Sequence, residues 1–339
     1  MEFSSSYQFS IILPVLNGGE YIKECVQSIL AQSVTDFNLI VLDSGSTDGT
    51  IEWLQMQNDE RIILQLSDKP MTITENWSRI KNISRNEWMT IIGHDDILCS
   101  DYLQTMTALI KQYPDASLYQ AHFNLIDAEG RFMRRCKPME EIQSAKGLLD
   151  KILDNDINVY GTGFVMRSKD YDAVGGIPLY PNLMCADYVL WLELTRIVYK
   201  ATSPNNCFFY RINQSTSATT KIDLYIGSLK LFVDYLLRSK SRLSPSEEKN
   251  AYSKRVLTFY CRRISRRLLI ERSAKRNDLT VAKFLKETQI YARQFMDEGH
   301  LFNPSAIPDV WITKMIDSTT VTRKLYLFIK RIHPNPLLN

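Results

Sequence analysis

Apolar residues fall in short runs, separated by stretches with helical spacing. Phe9-Ser10-Ile11-Ile12-Leu13-Pro14-Val15 reads as a first, buried strand, stopped by Asn17-Gly18-Gly19. Between Glu20 and Gln32, Ile22, Cys25, Val26, Ile29 and Leu30 recur at helical intervals and predict a helix with one buried face. Phe37–Leu42 predicts a second strand. It runs into the polar turn Asp43–Thr50, with a helix following through Ile51, Trp53 and Leu54. Arg61–Leu66 predicts a third strand, Thr74–Ser84 a helix, and Trp88–Ile92 a fourth strand. Strands alternating with helices at this pitch predict parallel strands joined by right-handed crossovers. The loops after the strands then gather at one sheet edge. They carry Pro14–Asn17, Asp43–Asp48 and Gly93–Asp96.

Ligands of open α/β sheets bind outside the carboxyl ends of the strands. There the fourth strand releases Gly93-His94-Asp95-Asp96, with two adjacent carboxylates. A hard divalent cation shared with substrate phosphates would relieve their repulsion. A solvated or helix-capping loop is the other reading. Neither G-x-G-x-x-G nor the P-loop pattern occurs, so phosphate charge must be met in another way. A carboxylate at Asp43 could accept hydrogen bonds from a base or ribose; helix capping by this loop fits Asp48 better than Asp43.

Further along, Tyr102–Tyr113 predicts a helix and Ala116–Phe123 a strand. His122 reads as a packing residue, and Arg134, Arg135 and Lys137 as a solvated loop with phosphate contact as the alternative. Asn158–Met166 reads as a glycine-marked turn entering a strand. Asp187 opens a strongly apolar helix through Val189, Leu190, Trp191, Leu192 and Leu194. It is either an acid stabilising the first turn or a general base.

Totals change this picture in two ways. Six scattered cysteines without a C-x-x-C pair argue against a zinc ribbon and for reduced thiols. The start of the chain has no signal-peptide pattern, and no apolar run approaches the ~18–20 residues that span a bilayer. A cytoplasmic protein is the expectation. The net charge of +3 divides unevenly. Residues 1–220 carry 18 Lys and Arg against 27 Asp and Glu, whereas residues 221–339 carry 23 against 11. Two domains, 1–220 and 221–339, with different partners are expected.

The order and spacing of three motifs resemble family 2 glycosyltransferases. These are Ile11-Ile12-Leu13-Pro14-Val15-Leu16-Asn17, Val41-Leu42-Asp43-Ser44-Gly45-Ser46-Thr47-Asp48-Gly49-Thr50 and Gly93-His94-Asp95-Asp96. Ser67-Asp68 through Ile73, Glu75 and Trp77 is similar to a further stretch of that family, and the likeness covers about residues 8–220. It implies an α/β GT-A-like, mostly parallel sheet flanked by helices, followed by a C-terminal helical domain. It implies an inverting transfer from a nucleoside-diphosphate sugar, with Mn²⁺ or Mg²⁺ held by Asp95. The donor-binding residues it implies are Pro14, Val15, Asn17, Asp43, Ser44, Asp68, His94, Asp96 and Arg211, with Asp187 as the base that deprotonates the acceptor. Bacterial capsule or O-antigen assembly on a lipid-linked glycan is the setting it suggests. Three positions depart from the family: Gly93 replaces the first Asp of D-x-D, Ala186 precedes Asp187 in place of Glu, and Asn213 stands where a histidine is usual. Arg211 could serve a diphosphate or a structural ion pair.

The resemblance ends near Ile222. Beyond it, Leu257, Cys261, Ile264 and Leu268 form one apolar stripe, and Val321, Leu325, Phe328 and Ile332 another, each beside arginines and lysines. Such helices fit an anionic membrane surface or a helical bundle with solvated basic faces. No groove-reading motif points to nucleic acid. A sugar-phosphate nucleotidyltransferase and a non-catalytic membrane-docking module are the alternative functions. The first would want a basic loop after the first strand, and Pro14–Gly19 has no Lys or Arg.

Overall fold

The computed structural model describes residues 8–212, 220–271 and 275–332. The chain divides into two compact units, Met1–Thr219 and Thr220–Asn339.

The first unit is built on one curled sheet. β1 (Phe9–Val15), β2 (Phe37–Asp43), β3 (Ile62–Gln65) and β4 (Trp88–Ile91) alternate with helices α1 (Tyr21–Leu30), α2 (Thr50–Met56) and α3 (Ile73–Ser78). Their order, β3-β2-β1-β4, is parallel throughout. Register sets Val15 beside Asp43 and Leu42 beside Gln65, so the loops after these strands share one edge. β1 is buried along its whole length, as its unbroken apolar run requires in a sheet covered on both faces. Ile22, Cys25, Val26 and Ile29 form the buried face of α1. Each such aliphatic side chain contributes about 1.5–3 kcal/mol by leaving water.

Beyond β4 the sheet is mixed. β5 (Ile97–Leu98), helix α4 (Tyr102–Gln112), β6 (Leu118–Ile126), β7 (Phe132–Arg135), β8 (Ile142–Gln143), helix α5 (Ala145–Leu153) and β9 (Phe164–Arg167) follow. Helix α6 (Ser168–Ala173), helix α7 (Ala186–Ile197) and β10 (Lys200–Arg211) complete the unit. β9 lies antiparallel between β4 and β6. β6 therefore runs the same way as β4, and β10 is parallel to β6. The carboxyl end of β10, at Arg211, thus reaches the edge that holds the loops of β1, β2 and β4. Two local expectations shift. The helix expected over Thr74–Ser84 tightens into a 3₁₀ turn at Arg79–Asn82, and the strand expected from Ala116 starts at Leu118 and runs to Ile126.

The second unit is helical: α8 (Ile222–Arg238), α9 (Lys240–Leu243), α10 (Lys249–Ile270), α11 (Val281–Ala292), α12 (Pro308–Ile316) and α13 (Thr320–Ile332). The stripe Leu257, Cys261, Ile264 and Leu268 is the buried face of α10. Arg262 and Arg266 of the same helix both pair with Asp309. Arg276 forks onto buried Asp317 with two 2.7 Å bonds, and the Val281 amide donates to the same carboxylate at 2.8 Å. No described helix is long and apolar enough to cross a membrane.

Candidate active site

The turns after β1 and β2 are laced together. Asn17, at φ 53°, accepts from the Thr47 amide through its side-chain oxygen at 2.8 Å. Its own amide donates to Ser46 Oγ at 2.8 Å. The Gly18 amide donates to Thr50 Oγ1 and the Gly19 amide to Asp48 Oδ2, each at 2.9 Å. The Ser44 amide donates to the Val15 carbonyl at 2.9 Å. Pro14, Val15 and Ser44 are buried, so these residues shape the floor through their backbone. Asp43 is also buried, and its carboxylate accepts from the Gly45 and Ser46 amides at 2.8 and 3.1 Å. Gly45 sits at φ +89° with the Pro70 backbone 3.2 Å from where a Cβ would lie, so a side chain there would be both strained and crowded. The result is an open cleft of about 330 Å³ bordered by Asp43, Gly45, Ser46, Asp68, Lys69 and Pro70.

The acidic turn lies at the end of β4. Its chain reverses tightly, the Asp96 amide donating to the Gly93 carbonyl at 3.1 Å. Asp96 is buried; it accepts from the Arg211 amide at 3.0 Å and from Thr162 Oγ1 at 2.8 Å. Burial, then the charge of neighbouring Asp95, pushes the Asp96 carboxyl well above its ordinary range. His94 and Asp95 are partly exposed. A Cβ at Gly93 would lie 2.9 Å from Asp95 Oδ1 and 3.0 Å from Asp96 Oδ2. The carboxylates fold back over the space that the missing side chain leaves, so an Asp at 93 would force both of them to move.

Asp187 enters from α7. The segment before it is strained: Asn182, Leu183 and Cys185 all have φ between 52° and 63°. Such strain persists only where the surroundings over-determine it, and it clusters at working sites. A Cβ on Gly161 would lie 4.0 Å from Asp187 Cβ and 3.6 Å from Trp77 Cη2. The next residue, Thr162, is the donor to Asp96. Tyr210 joins the two sides: its ring stacks on Tyr160 at 3.8 Å between centroids. Burial, then the fields of Asp96, Tyr160, Asp95 and Asp187, pushes the Tyr210 hydroxyl far up. Tyr210 thus lies within the fields of Asp95, Asp96 and Asp187.

The family model described as "Glycosyl transferase family 2" matches residues 10–175, the stretch holding the laced turns and the acidic turn. This chain carries a family 2 glycosyltransferase domain. Glycosyltransferase GlyG of Streptococcus pneumoniae is 25% identical over 127 residues, covering 36% of this chain and 42% of GlyG. A "PGL/p-HBAD biosynthesis glycosyltransferase" of Mycobacterium bovis is 31% identical over 114 residues, covering 32% of this chain and 44% of that protein. The match spans less than half the length of either relative. The crystal structure of S. aureus TarS in complex with UDP-GlcNAc superposes with a TM-score of 0.63 at 15% identity, over 94% of this chain and 91% of that one. That likeness shows the fold, which is GT-A-like.

Of the two roles expected of Arg211, a diphosphate contact and a structural ion pair, its surroundings favour the structural one. Arg211 was a candidate for the diphosphate, yet its guanidinium side chain is only 1% exposed. Nε donates to the Asp95 carbonyl at 2.8 Å, Nη1 to the Asp127 and Ala128 carbonyls, and Nη2 to Glu24. The group also lies 4.7 Å over the Tyr21 ring. Arg211 is therefore a strut under the acidic turn. His122 packs as expected, between the Ser203 carbonyl and the Met139 amide. In the basic loop, Arg134 and Lys137 are tied to Asn158. Asn213 lies outside the described residues.

Four supporting residues went unnoticed in the sequence. Arg79 donates to the Asp43, Gln65 and Leu66 carbonyls, and buried Asn76 donates to the Leu42 carbonyl at 2.7 Å. Together they pin the ends of β2 and β3. Thr162 holds Asp96, and Glu24 meets Arg211. Their partners lie far along the chain and are mostly backbone atoms, which leave no pattern in sequence.

Among the described residues, no group of three or more His, Cys, Asp and Glu could cage a metal. With both oxygens of Asp96 engaged, the donor set offers partly exposed Asp95 and, beside it, His94. This fits a hard cation that takes most of its ligands from substrate phosphates and water.

Proposed function

We propose that this protein transfers a sugar from a nucleoside-diphosphate sugar to an acceptor hydroxyl with inversion at the anomeric carbon. The observation that carries this reading is the meeting of three parts at one sheet edge. They are the cleft between Asp43 and Asp68, the Gly93–Asp96 turn, and Asp187 beside Gly161 and Trp77. The cleft takes the nucleoside, with Pro14, Val15, Asn17 and Ser44 shaping its floor. Asp95 is the residue that would hold Mn²⁺ or Mg²⁺; bound there, the ion would offset charge on the diphosphate. Asp96, held by Thr162 and Arg211, faces the sugar side. Asp187 accepts the proton of the acceptor hydroxyl as its oxygen forms a bond to the anomeric carbon and the bond to the diphosphate oxygen breaks. The half-buried ring of Trp77 and the Tyr160–Tyr210 stack offer the sugar apolar faces. The basic second unit suits a lipid-linked glycan as acceptor, at the cytoplasmic side of a membrane, in cell-surface polysaccharide assembly.

A thermal-shift panel tests the donor site. UDP, GDP, dTDP and CDP are each added with and without Mn²⁺. A nucleotide at about 100 times its Kd adds roughly 2.7 kcal/mol of stability. One nucleotide raising the melting temperature, more so with Mn²⁺, is the expected result. No shift with any of the four would overturn the donor assignment.

A further inference from the structure

Helix α13 is docked inside out. Its apolar positions Val321, Leu325, Phe328 and Ile329 follow helical spacing and so share one face. That face is turned to solvent: the four residues are 76, 58, 61 and 50% exposed. The buried position is a charged one. Arg323, on the opposite side of the helix, is 8% exposed and donates to the Leu269 carbonyl at 3.1 Å and to the Glu271 carbonyl. Tyr326, Leu327 and Lys330, on the same side as Arg323, are partly buried. Arg323 thus anchors the helix and fixes which face looks outward. A bundle would place the stripe inside, as α10 does with Leu257, Cys261, Ile264 and Leu268.

We propose that this outward stripe inserts into the surface of an anionic lipid bilayer. Charge selects that occupant. Thr320–Ile332 contains Arg323, Lys324, Lys330 and Arg331 and no acidic residue. Lys324 and Arg331 are exposed and flank the stripe on one side, where their long stems can lie along acyl chains while their charges meet lipid phosphates. A second copy of the helix would bring like charges together. An anionic bilayer neutralises these charges and covers the apolar face at once. The neighbouring helix α12 also exposes Trp311, Ile312 and Met315. This inference goes beyond the transferase reading and does not depend on it, since it concerns a surface of the helical unit.

The test is co-sedimentation of the full chain with vesicles, together with its mass in solution by light scattering. One vesicle is phosphatidylcholine alone and the other holds about 30% phosphatidylglycerol. The wild type should pellet with the anionic vesicles, less so with the neutral ones, and less as salt rises. Leu325→Ser with Phe328→Ser should weaken binding by about 10-fold or more, since each side chain loses its burial in the interface. Lys324→Glu with Arg331→Glu should abolish the preference for anionic vesicles. All these positions are exposed, so the variants should keep the wild-type melting temperature. Failure of the wild type to pellet, or pelleting unchanged in both variants, would overturn the proposal. So would a wild-type dimer that the serine variant converts to monomer.

Discussion

In the proposed reaction, Asp187 is the residue on which the chemistry turns. It stands at the second position of α7, beside Gly161 and Trp77. A carboxylate can take a proton; an amide of the same shape cannot. Asp187→Asn should therefore cut turnover by about 10²-fold or more while nucleotide binding stays near wild type. Steady-state kinetics beside a nucleotide titration separate the two, and full turnover in the variant would remove Asp187 as base. Asp187 and Asp95 stand out in the sequence because each sits in a recognisable neighbourhood. Asp96 does not reveal from sequence that it is the buried partner of the pair. That follows from Thr162 and Arg211, which lie 66 and 115 positions away.

At the scale of elements, the strand ends are held by side chains that cap backbone carbonyls. Arg79 and Asn76 do this for β2 and β3, and Arg211 does it for the turn after β4. Arg211→Met would leave the Asp95, Asp127 and Ala128 carbonyls without their donor. At about 1.5–3 kcal/mol for each hydrogen bond to a charged group that is lost, the variant should lose roughly 3 kcal/mol or more in urea denaturation. The pair with Glu24 adds little, because Glu24 is 58% exposed. A loss under about 0.5 kcal/mol would contradict the strut role. The first four strands are legible because buried parallel strands need unbroken apolar runs. β9 is less so: its four residues read as a strand, but its antiparallel insertion depends on where α5 returns the chain.

For the whole molecule, the fold buries a lysine that the proposed chemistry does not use. Lys200, at the start of β10, is fully buried, with Nζ 3.3 Å from Gln143 Oε1. Burial pushes its ammonium down to about 7 from an ordinary 10.5. For a base with a lowered folded pKa, the neutral form is the one that folding favours. Stability should therefore rise as pH climbs from about 7 toward 10.5, and the gain is absent below that window. Urea unfolding at about pH 7 and about pH 9 should show this gain in the wild type and a smaller one in Lys200→Met. Equal gains in both would assign the pH dependence to other groups.

By itself, the sequence determined the alternation of strands and helices, the edge where the polar turns gather, and the residue types proposed to handle a diphosphate and a proton. These are local properties, written in runs, periods and turn residues a few positions apart. Tertiary structure alone decided which of the two adjacent carboxylates is buried, that Arg211 serves the backbone, and that the stripe of α13 faces outward while that of α10 faces in. Each of those outcomes depends on which partner a side chain meets after the chain has folded back over tens of residues. Periodicity says that a helix has an apolar face; only packing says what that face meets.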